Sequence, residues 1–125
     1  MSDNTSKNVL IIDDDHRNIF ALKAVLNARG YECITAAGGK EGLKQLSARN
    51  DIAVILLDMM MPDMDGYETI GQIRSGPAGN VPVISVTAQA MVGDREKCIQ
   101  AGANAYISKP IDIDHLVILL KKYLT

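Results

Sequence analysis

Val54-Ile55-Leu56-Leu57-Asp58-Met59-Met60-Met61-Pro62-Asp63-Met64-Asp65-Gly66 is an apolar run that stops at one carboxylate and passes into a loop carrying Pro62 and Gly66. Four consecutive large aliphatic residues without polar alternation describe a strand buried on both faces, as in a parallel sheet covered by helices. Asp58 then stands at the carboxyl end of a central strand. In open α/β sheets ligands bind at that rim, because the strand ends there and the loops diverge into a crevice. On this stretch alone, Asp58 reads equally well as a helix cap or the first residue of a turn.

Working outward, Val9-Leu10-Ile11-Ile12 is a second continuous apolar run, ending in Asp13-Asp14-Asp15, and Val81 to Val86 is a third, ending in Thr87. Pro82 sits near the start of that third run, where a missing ladder donor is tolerated. Tyr31 to Ala36 alternates like a strand, and Ala103 to Ile107 forms the last one. The segments between them change to helical spacing. Ile19, Leu22, Val25, Leu26 and Arg29 mark one helix from His16, stopped by Gly30. Gly38-Gly39 opens another to about Ala48, with Leu43 and Leu46 facing inward, and Gly66 leads into a third through Tyr67, Ile70 and Ile73. A fourth runs from Met91 or Asp94 to Ala101, closed by Gly102 at a position that favours left-handed backbone. Ile113, Leu116, Val117, Leu120 and Leu124 mark the last helix, and Ser75 to Asn80 is a loop. Five strands thus alternate with five helices. Successive parallel strands need crossovers, whose fixed hand puts helices on both faces of the sheet. The expected architecture is a doubly wound, flavodoxin-like α/β domain, five-stranded and parallel in the order 2-1-3-4-5.

The 125 residues make one domain, read as residues 8–125 behind a polar lead over 1–7 that is expected to be disordered. A formal net charge of -2 lacks the basic footprint of a nucleic-acid binder. No apolar run approaches the roughly 20 residues that span a bilayer, and the lead has no signal-peptide core. Cys33 and Cys98 show no metal-ligand spacing and read as reduced thiols, so a cytoplasmic location is expected.

The polar residues at the strand ends converge on one edge. Strand 1 ends in Asp13, Asp14 and Asp15, strand 3 in Asp58 and strand 4 in Thr87, while Lys109 follows strand 5. Two unit charges 4 Å apart repel by about 4 kcal/mol at an effective dielectric of ~20. Three carboxylates therefore need a cation or raised pKa values, and Lys109 offsets only one charge. Mg²⁺ suits such a site, since it takes one or two carboxylates together with water and phosphate oxygens. Asp14 and Asp58 offer direct carboxylates, and a main-chain carbonyl after Asp58 offers another oxygen. Asp15 is assigned to capping the first helix, and three adjacent caps would be redundant. With a metal and Lys109 beside it, Asp58 has the surroundings of a nucleophile that accepts a phosphoryl group. Thr87 would donate a hydrogen bond to a phosphoryl oxygen.

These residues resemble the receiver domains of two-component response regulators. The resemblance covers Asn8 to Leu124 and rests on Asp13-Asp14, on Asp58 with Met61-Pro62-Asp63-Met64-Asp65-Gly66, on Val86-Thr87-Ala88 and on Lys109-Pro110. It implies the CheY-like form of the fold, with Asp58 as phosphoacceptor. It further implies that Asp13, Asp14, Asp58 and the Met60 carbonyl hold Mg²⁺, that Lys109 pairs with the phosphoryl group and that Lys109-Pro110 is cis. Thr87 and Tyr106 match the switch pair, with the surface of helix 4, strand 5 and helix 5 as the readout. Met60 and Gln89 occupy positions that tune dephosphorylation. The implied donor is a histidine kinase or histidine phosphotransfer protein. Since the chain stops at helix 5, output is expected through a downstream protein effector or a parent chain, without nucleic acid or membrane. The domain would be no enzyme beyond assisting its own phosphorylation and slow dephosphorylation. Two other classes fit less well. A Mg²⁺-dependent phosphohydrolase with an aspartate nucleophile resembles the haloacid dehalogenase type, which needs a second Asp where Met60 stands. A flavodoxin-like cofactor binder lacks a glycine-rich phosphate motif and a tryptophan platform.

Overall fold

The computed structural model describes residues 8–62, 64–76, 79–88 and 93–124. The lead over residues 1–7, Gln89 and the alternative helix start at Met91 lie outside the described residues. Among the described residues the elements are β1 (Asn8–Ile12), α1 (His16–Ala28), β2 (Glu32–Ala36), α2 (Gly39–Ala48), β3 (Ile52–Asp58), α3 (Gly66–Ser75), β4 (Val83–Thr87), α4 (Asp94–Ala101), β5 (Ala105–Ser108) and α5 (Ile113–Leu124). All pairings are parallel, in the order β2-β1-β3-β4-β5. The doubly wound architecture expected from the alternation is present.

The central strands are buried on both sides because successive residues point to opposite faces. On one face Leu10, Ile12, Ile55, Leu57 and Val83 pack with Leu46 of α2, Ile70 and Ile73 of α3 and Cys98 of α4. On the other Val9, Ile11, Val54, Leu56 and Ile84 meet Leu22 and Leu26 of α1 and Leu116 and Leu120 of α5. Each fully buried aliphatic side chain contributes roughly 1.5–3 kcal/mol. That double-sided burial makes the frame rigid and leaves the loops at the carboxyl rim to carry chemistry. Among the described residues no helix is long and apolar enough to cross a membrane.

Three strands begin later than the apolar patterns suggest, for reasons of backbone hydrogen bonding. The Tyr31 N–H closes α1 on the Leu26 carbonyl at 3.0 Å, with Gly30 at φ +94°, so β2 starts at Glu32. Ala103 N–H closes α4 on Cys98 in the same way, with Gly102 at φ +121°, and β5 starts at Ala105. Both ends are Schellman-type caps, which consume the amide that would otherwise open the strand. Pro82 has no N–H to give; its carbonyl accepts from Ile55 at 2.9 Å, and β4 begins at Val83.

Arg74, in the last turn of α3, ties the amino edge of this frame together. Its guanidinium donates to the carbonyls of Gly79, Val81 and Gly102 and to Asn104 Oδ1, which also accepts from Val83 N at 2.9 Å. Partial burial lowers its pKa, so these acceptors rather than water hold the charge. Arg74→Met keeps the aliphatic stem and removes every donor. It is expected to lower the unfolding free energy in urea by about 2 kcal/mol, the scale of hydrogen bonds to a charged group. A loss below a few tenths of a kcal/mol would mean that water replaces the guanidinium without cost.

Candidate functional site

β1 and β3 run in register with Ile12 beside Leu57, so Asp13 and Asp58 leave the sheet side by side. Both are buried, 3% and 5% exposed, whereas Asp14 is exposed. Asp15 does the capping: its side chain accepts from Arg17 N at 3.0 Å and Asn18 N at 3.4 Å. Division of labour within the acidic triplet is therefore clear, with one cap, one buried carboxylate and one at the surface. One oxygen from each of Asp13, Asp14 and Asp58 lies within 4.8 Å of the others.

The flanking strands complete the rim. Asp58 pairs with Val86, and Thr87 ends β4 opposite Ser108 with only 5% exposure. The Thr87 carbonyl accepts the Lys109 N–H at 2.7 Å, and the Lys109–Pro110 peptide is cis. Lys109 Nζ stands 3.8 Å from Asp13 Oδ2 and 3.7 Å from Asp58 Oδ2, between the two buried carboxylates. Asp58 Oδ1 accepts the Met60 N–H at 3.1 Å. Tyr106 lies opposite Ser85 on β5, half-buried beside the α2, α3 and α4 core, and burial raises its hydroxyl pKa. The Met60 side chain is exposed.

Burial pushes the Asp58 carboxyl up to about 6, and the charge of Asp13 adds to it, while the Met60 N–H and Lys109 pull it down. Three carboxylates, two of them buried, against one lysine leave an excess of negative charge. The donors are hard, anionic oxygens close enough to face a common ion, which fits a small divalent cation such as Mg²⁺ and not a soft metal. Beside the cluster, Asp14, Gly38, Lys40, Met61, Pro62 and Met64 line a cleft of about 110 Å³. A larger depression of about 690 Å³, lined by Arg49, Asn50, Ile52, Asn80 and Pro82, lies at the amino ends of β3 and β4, away from the carboxylates.

The fold thus brings together Asp13, Asp14, Asp58 and Lys109, with Thr87 ending the next strand. Tyr106 precedes Ser108, the Thr87 partner on β5, by two residues. Asn18, which stands at no strand end, joins them: its side-chain amide donates to Asp13 Oδ2 at 2.5 Å. Its one sequence signal is a polar residue in the first turn of a helix that opens on an acidic triplet.

The model of the response regulator receiver domain matches residues 9–121. The polar-differentiation response regulator DivK of Brucella ovis is 36% identical over 95% of this chain and 97% of its own length. The sensor histidine kinase RcsC of Escherichia coli is 38% identical over 91% of this chain, which spans only 12% of that protein. A receiver domain of a sensor histidine kinase from Pseudomonas aeruginosa PAO1, solved with magnesium in its active-site cleft, superposes with a TM-score of 0.84 at 34% identity, covering 94% of this chain and 96% of that one. The match spans both faces of the sheet and every strand end that bears a site residue, and on it the chain belongs to the response regulator receiver domain family.

Proposed function

We propose that residues 8–125 form a phosphorylation-controlled switch whose phosphoacceptor is Asp58. One observation carries the reading: a buried carboxylate at the end of the central strand stands 3.7 Å from Lys109 and shares a space with two further carboxylates. Asp13, Asp14, Asp58 and the Met60 carbonyl would hold Mg²⁺, which when bound neutralises the equatorial oxygens of the transferring group. An oxygen of Asp58 attacks the phosphorus of a phosphohistidine on a histidine kinase or histidine phosphotransfer protein. The P–N bond breaks with its electron pair on the imidazole, and an acyl phosphate remains on Asp58. Lys109 leaves its place between Asp13 and Asp58 for a phosphoryl oxygen, and the Thr87 hydroxyl donates to another.

The release of Lys109 and the pull on Thr87 give the domain two states. Tyr106 follows Thr87, and the surface of α4, β5 and α5 presents the change to a downstream protein effector. Met60 offers water no general base, so self-dephosphorylation is slow. The free thiols Cys33 and Cys98 fit a cytoplasmic setting.

Amide NMR during titration with Mg²⁺ and then beryllofluoride, a phosphoryl mimic, tests this. Shifts are expected first around residues 13, 14, 58, 87 and 109 and then across α4, β5 and α5. Thr87→Ala should keep the first set and lose most of the second. Changes confined to the rim in the unaltered chain would leave a binding site without a switch.

A further inference from the structure

We propose that Asn18 positions Asp13 for the divalent cation and so sets metal affinity from outside the carboxylate cluster. The inference rests on the reading of Asp13, Asp14 and Asp58 as the cation's holders. Asn18 belongs to the first turn of α1, a turn fixed by the Asp15 cap on the Arg17 and Asn18 amides. From there its side chain reaches back to Asp13 Oδ2 at 2.5 Å, while Asp13 Oδ1 accepts from Asp15 N at 2.9 Å. Among the described residues each oxygen of the buried carboxylate thus accepts one hydrogen bond from an N–H donor, and the two together fix its plane. A carboxylate oxygen has two lone pairs, so each retains one for an ion or its water.

Lys109 approaches the same Oδ2 only to 3.8 Å, outside the 2.7–3.2 Å range of a hydrogen bond. Asn18 makes the short contact, and it is uncharged. A neutral donor orients the carboxylate without cancelling the negative charge that attracts the cation; a lysine or arginine at this place would do both. It also keeps Lys109 from closing on Asp13, which leaves the ammonium available to a phosphoryl oxygen. Without the amide, the Asp13 carboxylate is free to turn toward Lys109, and the cation must then break that pair to bind.

The test measures Mg²⁺ binding by calorimetry on the full chain, and separately the rate of labelling by acetyl phosphate as Mg²⁺ is varied. Asn18→Ala suits a helix, so folding is not at stake. Losing an outer partner of a liganding group costs about 10–100-fold in metal affinity, and a rise of about 10-fold in the Mg²⁺ Kd is expected. At saturating Mg²⁺ the cation itself holds Asp13, and the labelling rate should return to within about threefold of the unaltered chain, separating binding from transfer. Asn18→Leu, which keeps the bulk and removes the donor, should weaken Mg²⁺ as alanine does. An unchanged Kd in Asn18→Ala, or full affinity in Asn18→Leu, overturns the assignment. A chain with Asn18 intact that binds no Mg²⁺ would instead remove the reading of the carboxylates, and this inference with it.

Discussion

Asp58→Asn is expected to abolish phosphoryl incorporation from acetyl phosphate and Mg²⁺, a loss of at least about 10³-fold, as when a nucleophile is removed from its unit. Asparagine has nearly the same shape, so Thr87, Lys109 and the loop after β3 should keep their places. What changes is the nucleophile: the amide shares its electrons between oxygen and nitrogen and carries no negative charge to attack phosphorus. Intact-mass spectrometry should find one phosphoryl group on the unaltered chain and none on the variant. Labelling of Asp58→Asn at an undiminished rate would move the acceptor elsewhere, with Asp13 and Asp14 the nearest carboxylates.

The same substitution should stabilise the protein at neutral pH when metal is absent. Asp58 titrates near 6 in the folded chain because burial and Asp13 disfavour its charge, against about 3.9 in an unfolded one. The folded state therefore binds this proton more tightly, and the contribution to stability is complete below the unfolded pKa. Between pH ~4 and ~6 the unfolded chain gives up its proton first, and stability falls as pH rises. Above about 6 the penalty is complete, near 2–3 kcal/mol for a shift of this size. Urea unfolding in a chelator should find Asp58→Asn more stable by about that amount at pH 7.5, with the advantage vanishing toward pH 4. Saturating Mg²⁺ should narrow the gap, since a ligand of the folded state stabilises it by mass action. A variant less stable than the parent at pH 7.5 would show that the folded chain does not resist the charge on Asp58.

Much of this arrangement is legible from residue order. The runs at Val9, Val54 and Val81 each stop at a polar residue, and parallel winding sends those stops to one edge. Asp13, Asp14, Asp58 and Thr87 are legible that way, Lys109 follows the fifth strand, and the expected strand order matches the observed one. Strand starts were less visible. Tyr31 and Ala103 look like strand residues by pattern, yet their amides close the preceding helices, a fact that depends on backbone geometry at Gly30 and Gly102. Arg74 reads as an ordinary cation at a helix end, and nothing in its neighbourhood along the chain announces acceptors as far away as Gly102 and Asn104.

Residue order carries the parallel α/β frame and the collection of acids and a lysine at its carboxyl rim, because periodicity and abrupt polar stops are local properties of a chain. Packing separates Asp13, which is buried, from Asp14, which is exposed, while the Asp15 cap is legible from its place just before the first helix. Only the tertiary structure decided that Asn18 holds Asp13 and that Lys109 stands midway between two carboxylates. Those outcomes follow from register and from which side chains exclude water, quantities that form only when distant segments pack.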